Sequence, residues 1–542
     1  MGQFKYGGQY TVGPGSSGYG FADFVLDKSY FQGVAGTAGR IGQRQYRLAF
    51  FGEDEWKVTP SLTLNIGLRY GYDQPLYEVN GKEVNVDVKN SQNCPNCLLF
   101  AGKNGASNAL YNSYYKEFMP RVSFAWQLNP QQVLRGGYGI TDDFEGMGAA
   151  NRLSQNPPFI AQYQNNSVLP SATSGGTPIK VSQGFSGGSA VAAQTKYNAW
   201  DPNIKPALIQ QYNLTLQTLM GPRFTFQIGY VGQLGQHLVI PAPINQYKTP
   251  GVPTTGPYYN LVGTGGQVYL TTSEGYSNYN GMQIQLRQRE FHGLEATFNY
   301  TWSKVMTNNP GYFGIGGVDA SSTYPQNVYD PHGDYGPSGF DTRNAANFVG
   351  TYAIPFGHGR DYGTHVNRFV DWAIGGWKIS ADAILYSGFP ITITNGSTNS
   401  SNANNGTNRG NQYHKLTVTG RTLAHWFGTG ADALPCTGSA GVTTNANNAP
   451  CAYGPETVNT FGTARVGTER APGYRIVDTS AFKQFRTYKE QYIQFRLDAF
   501  NAGNIASYAA PGNTVTTAST WGQITSTLSP ARQLQYSLKY EF

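Results

Sequence analysis

From Arg532 to Phe542 the chain alternates without a break. Leu534, Tyr536, Leu538, Tyr540 and Phe542 fall on one side of an extended strand, and Gln533, Gln535, Ser537, Lys539 and Glu541 on the other. The same period of two runs through residues 62–70, 214–217, 224–230, 282–287, 294–302 and 493–499. Helical spacing is confined to the short stretches 421–428 and 366–372. The pattern predicts an all-β chain of about 14 strands, an even number as bacterial outer-membrane barrels have. They lie near residues 3–12, 43–58, 61–77, 118–128, 132–144, 208–219, 222–233, 280–290, 293–304, 342–355, 375–389, 474–486, 489–502 and 531–542.

The connections alternate as well. Tight turns are predicted at Thr59-Pro60-Ser61, Asn129-Pro130-Gln131, Met220-Gly221-Pro222, residues 290–293 and residues 486–489. Between these hairpins lie long segments rich in Asn, Gly, Ser, Thr and Tyr, at 79–116, 145–205, 235–278, 305–339 and 391–473. Loops of that length argue against a compact soluble domain. They fit an antiparallel transmembrane barrel with short periplasmic turns and long extracellular loops. Residues 355–375 are the exception, a turn of unusual length for the periplasmic side.

Composition sharpens this picture. Charged residues are only 13% of the chain, aromatics reach 14%, and there are 38 Tyr and 68 Gly, which suits strands with one greasy and one polar face. The net charge of +7 is spread without a basic run, so nucleic acid is not an expected partner. No apolar run approaches the ~20 residues of a membrane helix, but a spanning strand needs only ~10. Trp56, Tyr70, Trp126, Tyr300, Trp302, Trp377 and Tyr540 sit at strand ends, as interfacial girdles require. The start, Met1-Gly2-Gln3-Phe4-Lys5-Tyr6, has none of the sections of a secretory leader, so either a preceding segment is missing or the membrane reading fails.

Phe51-Gly52-Glu53-Asp54-Glu55-Trp56-Lys57-Val58-Thr59-Pro60-Ser61-Leu62-Thr63-Leu64-Asn65-Ile66-Gly67-Leu68-Arg69-Tyr70 resembles a hairpin of the TonB-dependent receptors, in particular the Oar-like subgroup that carries a carboxypeptidase-regulatory-like domain. The resemblance continues through Pro120-Arg121-Val122-Ser123-Phe124-Ala125-Trp126, Tyr300-Thr301-Trp302-Ser303-Lys304, Phe340-Asp341-Thr342-Arg343 and Gly376-Trp377. It departs at Asn344, where the family often has His. It implies the C-terminal part of a barrel of about 22 strands, with the plug, the accessory domain and about eight strands absent. It also implies energised uptake of a bulky solute (glycan, siderophore or peptide), with the TonB complex engaged through the plug. The barrel-assembly machinery would read the last strand through Leu538, Tyr540 and Phe542. A passive porin-like channel, or an adhesion or secretion-associated barrel, would share the pattern.

Candidate chemistry is sparse. No nucleophile–base pair, phosphate loop or zinc-protease helix occurs, so neither an enzyme nor a cofactor is expected. Cys94-Pro95-Asn96-Cys97 has no nearby helix and no further ligands. Of the three pairings four cysteines allow, local disulfides Cys94–Cys97 and Cys436–Cys451 are expected. Asp330-Pro331-His332-Gly333-Asp334 reads as turn chemistry rather than a metal loop. Arg69, Arg135, Arg287, Glu295, Asp382, Arg496 and Asp498 are predicted on the lumen face, where they hydrate the wall or meet a plug. Tyr111, Tyr114, Tyr115, Tyr163, Tyr258, Tyr259 and Tyr276 are the loop residues placed to grip a solute.

Overall fold

The structure, a computed structural model, describes residues 2–13, 18–37, 39–143, 151–170, 174–185, 196–308, 324–396, 400–405, 408–437, 442–488 and 490–542. One antiparallel path of 13 strands dominates it. In chain order these are β1 (Arg47–Thr59), β2 (Leu62–Asp73), β3 (Glu117–Asn129), β4 (Gln132–Asp143), β5 (Ala207–Met220), β6 (Phe224–Pro243) and β7 (Gln267–Phe291). The path continues with β8 (Leu294–Thr307), β9 (Asn344–Ala353), β10 (Lys378–Tyr386), β11 (Tyr474–Arg486), β12 (Tyr492–Phe500) and β13 (Gln533–Glu541). Each strand pairs with its neighbours in sequence, and among the described strands β1 and β13 each pair on one side only.

The strand predicted near 3–12 lies elsewhere. Its ordered part, Gly2–Lys5, pairs with Phe31–Thr37, which pairs in turn with Ile160–Asn166 in a separate three-stranded sheet. Alternation says that a segment is extended but not which sheet it joins. The main path therefore holds an odd number of strands, and β1 begins at the long-loop end.

Register sorts the side chains. A single row crosses eight strands through Trp56, Leu64, Phe124, Gly136, Leu214, Tyr230, Met282 and Trp302. Because the strand period is two, the row three residues away lies on the opposite face, and there Gln217, Gln227, Gln285, Asn299 and Asn347 stand side by side. Two glycines on the apolar face make room for aromatic rings: a Cβ at Gly232 would lie 2.2 Å from the Tyr212 ring, and one at Gly136 2.6 Å from Phe124.

Five connections at one end span two to five residues, while six at the other end span 23 to 87. The remaining connection, 354–377, carries helix α1 (Arg368–Ile374) at the short-turn end. The helical expectation for 421–428 fails, since those residues form turns stitched by reciprocal Thr422 and His425 backbone bonds.

Buried apolar clusters sit in the long loops and in the strand ends that reach into them. One gathers Leu76, Leu110, Tyr111, Leu153 and Trp200; a second Val86, Tyr197, Tyr258 and Val268; a third Ile393, Phe427, Tyr453 and Trp521. By contrast, Leu214, Ile66, Leu534 and Leu538 on the sheet are 49–73% exposed. A continuous apolar face of that size has no place in water, and hydrocarbon is the solvent that suits it.

Arg substituted for Leu214, mid-strand on this face, is expected to cost about 2–4 kcal/mol in lipid vesicles. The neighbouring Asn213→Arg, on the other face and flanked by Gly137, should stay within about 0.5 kcal/mol. Urea unfolding of the refolded chain measures both, and equal costs would refute the two-faced assignment.

Candidate functional site

The polar face of the sheet and the loop layer above it form the candidate solute route. On the polar face, Gln285 Nε2 donates to Asn299 Oδ1 at 2.9 Å, Asn299 Nδ2 to Asn347 Oδ1 at 3.3 Å, and Asn347 Nδ2 to Asp382 Oδ1 at 3.3 Å. This belt ties four strands together and leaves amide valences toward the open side. Sequence reasoning selected charges and missed these amides, because their alignment appears only once cross-strand register is known.

The seven predicted lumen residues all lie on this face. Arg287 reaches Glu295 at 3.8 Å across the β7–β8 hairpin, and Arg496 pairs with Asp498 at 2.7 Å along β12. Asp382 stands opposite Asp478, Arg135 between Ala125 and Thr215, and Arg69 between Phe51 and Met119. At the loop end, Glu117 and Asp142 converge on Gly71, where a Cβ would lie 3.0 Å and 3.4 Å from their oxygens. A side chain at this position would press on both carboxylates.

The loop layer is built on buried amides. Asn85 donates to the carbonyls of Leu110 (3.2 Å) and Trp200 (2.9 Å) and accepts from the Trp200 N–H. Asn156 donates to Val84 and Asn198 carbonyls, both at 2.7 Å. Each locks backbone groups of two long loops that would otherwise lose their partners on burial. Cys94 is bonded to Cys97, and Cys436 to Cys451. Arg409 pairs with Asp334, and Asp341 receives both Arg470 and Arg343. His332 meets the Tyr276 hydroxyl at 3.0 Å.

Two of the proposed solute-gripping tyrosines are corrected by this packing. Tyr111 is 6% exposed, accepts the Leu76 N–H at 2.6 Å and packs on Trp200, while Tyr258 is 3% exposed in the second cluster. Burial pushes the Tyr258 hydroxyl up to about 12, with Asp87 and Tyr329 adding to it. Both hold the loops rather than present a surface. Tyr115 is exposed and stacks on Tyr72 at 5.2 Å; Tyr276, on the extension of β7, stacks on Tyr335 at 4.9 Å. Tyr114 and Tyr259 are half-buried, and the side chain of Tyr163 lies outside the described residues. Leu538 and Tyr540 project from the apolar face of β13 opposite Phe495 and Ile493, and Phe542 lies beside the Tyr540 ring.

Comparison with known proteins agrees with this geometry. Residues 1–535 match the outer membrane beta barrel domain family. The chain superposes on the outer membrane transporter YddB from Escherichia coli with a TM-score of 0.47 at 10% identity, covering 94% of this chain and 47% of that one. For the ferripyoverdine receptor of the outer membrane of Pseudomonas aeruginosa the TM-score is 0.42 at 9% identity, with 92% and 39% covered. For the ferric-catecholate import receptor Fiu from K12 E. coli it is 0.41 at 9% identity, with 94% and 45% covered. The chain spans less than half the length of these three proteins. No curated relative matches.

A titratable group sits inside the loop layer. Glu83 is 1% exposed, and burial lifts its carboxyl from 4.5 to about 7, against the lowering effect of the Gln43 amide at 3.1 Å. The folded loop therefore holds a proton that the unfolded loop releases, so its stability is full below about 4.5 and falls as pH rises through about 7. The loss is up to roughly 3 kcal/mol. Hydrogen exchange of residues 79–110, corrected for intrinsic rate, should show protection falling between pH 5 and 8, and Glu83→Gln should flatten that dependence. Wild-type protection that rises with pH would contradict the assignment.

Proposed function

This chain belongs to the outer membrane beta barrel domain family and resides in the bacterial outer membrane, and from that premise we propose that it is the C-terminal barrel portion of a TonB-dependent receptor of the Oar-like subgroup. Its work is the energised import of a bulky solute of the glycan, siderophore or peptide class. The loops capture the solute, a plug domain occupies the lumen, and the TonB complex pulls on that plug from the periplasm. Leu538, Tyr540 and Phe542 serve as the assembly signal read by the barrel-assembly machinery.

One observation carries this reading: a polar face crossed by a hydrogen-bonded amide belt runs beneath a loop layer that has its own packed cores. Arg287–Glu295 and Arg496–Asp498 cancel within the wall, and the amide belt is saturated sideways. Such a wall lets polar solutes pass without holding one charge tightly. Selection then falls to the loops, whose buried amides and ion pairs fix their shape before any solute arrives, which lowers the ordering cost of binding. Tyr115 and Tyr276 stay candidates to meet it, each already stacked on a second ring.

Cells expressing the complete gene are expected to accumulate a labelled solute from one of these classes only while TonB is present. Deleting TonB should abolish accumulation without altering surface binding. Accumulation that is the same in both strains would replace this reading with a passive channel.

A further inference from the structure

Helix α1 lies where a short turn would serve, and its surroundings say why. Asn367 caps it, its side chain accepting the Val370 N–H at 2.9 Å. Its last carbonyls are met from outside the helix: Lys483 of β11 donates to Asp371 at 3.1 Å and also to Trp372, while Trp377 Nε1 donates to Ala373 at 2.9 Å. Lys483 stands opposite Phe495, which stands opposite Leu538, so it belongs to the apolar, outward row. It is nonetheless only 7% exposed. The helix therefore covers the outside of the sheet and hides a cation that would otherwise face hydrocarbon.

Asp371 accepts the His358 N–H of the same connection at 2.7 Å. Phe369 and Trp372, one turn apart, share another side of the helix. They are 85% and 64% exposed, although Trp372 also touches the outward Phe485 ring at 5.2 Å. Arg360 and Arg368 of the same connection are exposed and form no ion pair among the described residues.

We propose that the 354–377 segment is a membrane-seating foot. Helix α1 lies in the periplasmic leaflet with Phe369 and Trp372 among the acyl chains, and Arg360 and Arg368 meet phospholipid phosphates. The occupant is lipid because the Trp372 ring packs against Phe485 of the outward row, so the exposed face borders the apolar side of β11. Amphipathic helices with aromatic and basic residues take this position at membrane interfaces. The foot fixes the depth of this side of the sheet at the end where the other connections are too short to do so.

The test uses the full chain refolded into phosphatidylethanolamine–phosphatidylglycerol vesicles doped with phospholipid brominated near the headgroup. The Trp372 signal is the difference between wild type and Trp372→Phe. Expected is strong quenching of that signal by the brominated lipid and little by aqueous acrylamide. Phe369→Asp, at a position already 85% exposed, should reverse the preference without unfolding the chain. The Trp126→Phe difference reports the outward face of β3 as a control. A Trp372 signal quenched by acrylamide alone, with Trp126 still lipid-quenched, would overturn the foot. Loss of lipid quenching at both would overturn the bilayer placement of the whole sheet, and the foot with it.

Discussion

Every backbone N–H and C=O inside hydrocarbon must find a protein partner, and cross-strand register is how this chain meets that demand. Once the partners are fixed, the period of two fixes everything beyond them. Leu214 must face lipid because its neighbour Asn213 faces the polar side, and Leu216 must follow. The long unbroken run of antiparallel pairs from β1 to β13 is thus a single decision made many times. The same constraint gives β1 and β13 a consequence, because an edge left in lipid carries a column of unsatisfied groups.

A sheet whose apolar side faces lipid cannot also supply a conventional core. The loops must therefore find stability of their own, and they do so by packing apolar residues around satisfied amides. Trp200, at the end of a strand that pairs in parallel with β7, touches Tyr111 from a distant loop, and Asn85 binds the backbone of both segments. The two disulfides belong to this economy. Cys94 and Cys97 lie within the second cluster, and Cys436–Cys451 closes a 15-residue span beside Tyr453. The loop layer behaves as a small globular assembly mounted on the sheet.

This division decides what could be read from sequence. The strands of the main path were legible because lipid on one side and water on the other impose alternation at every step, as in Leu294 to Trp302. The loops were not, because nothing local distinguishes Tyr111, locked under Trp200, from Tyr115, stacked at the surface four residues later. Burial there depends on partners far along the chain. The amide belt failed for a related reason: Gln285, Asn299 and Asn347 are unremarkable singly and acquire meaning only in register. Gly2–Lys5 shows the opposite error, since alternation is shared by strands of any sheet.

The two helical candidates make the same point about context. Residues 421–428 and 366–372 offered similar spacing, yet only the second is helical. A seven-residue helix is too short to persist on propensity. Residues 366–372 have an Asn367 cap at the start, and at the end Lys483 and Trp377 accept the burden of the free carbonyls. Residues 421–428 are instead held by the overlying chain, with the Trp426 N–H donated to the Gly522 carbonyl and the Ile524 N–H to the Leu423 carbonyl, bonds that favour a turn. A lysine more than one hundred residues away, on the greasy side of a strand, thus helps to hold the helix of this connection at the short-turn end. Its burial beneath that connection is the reason a cation can stand in the outward row at all.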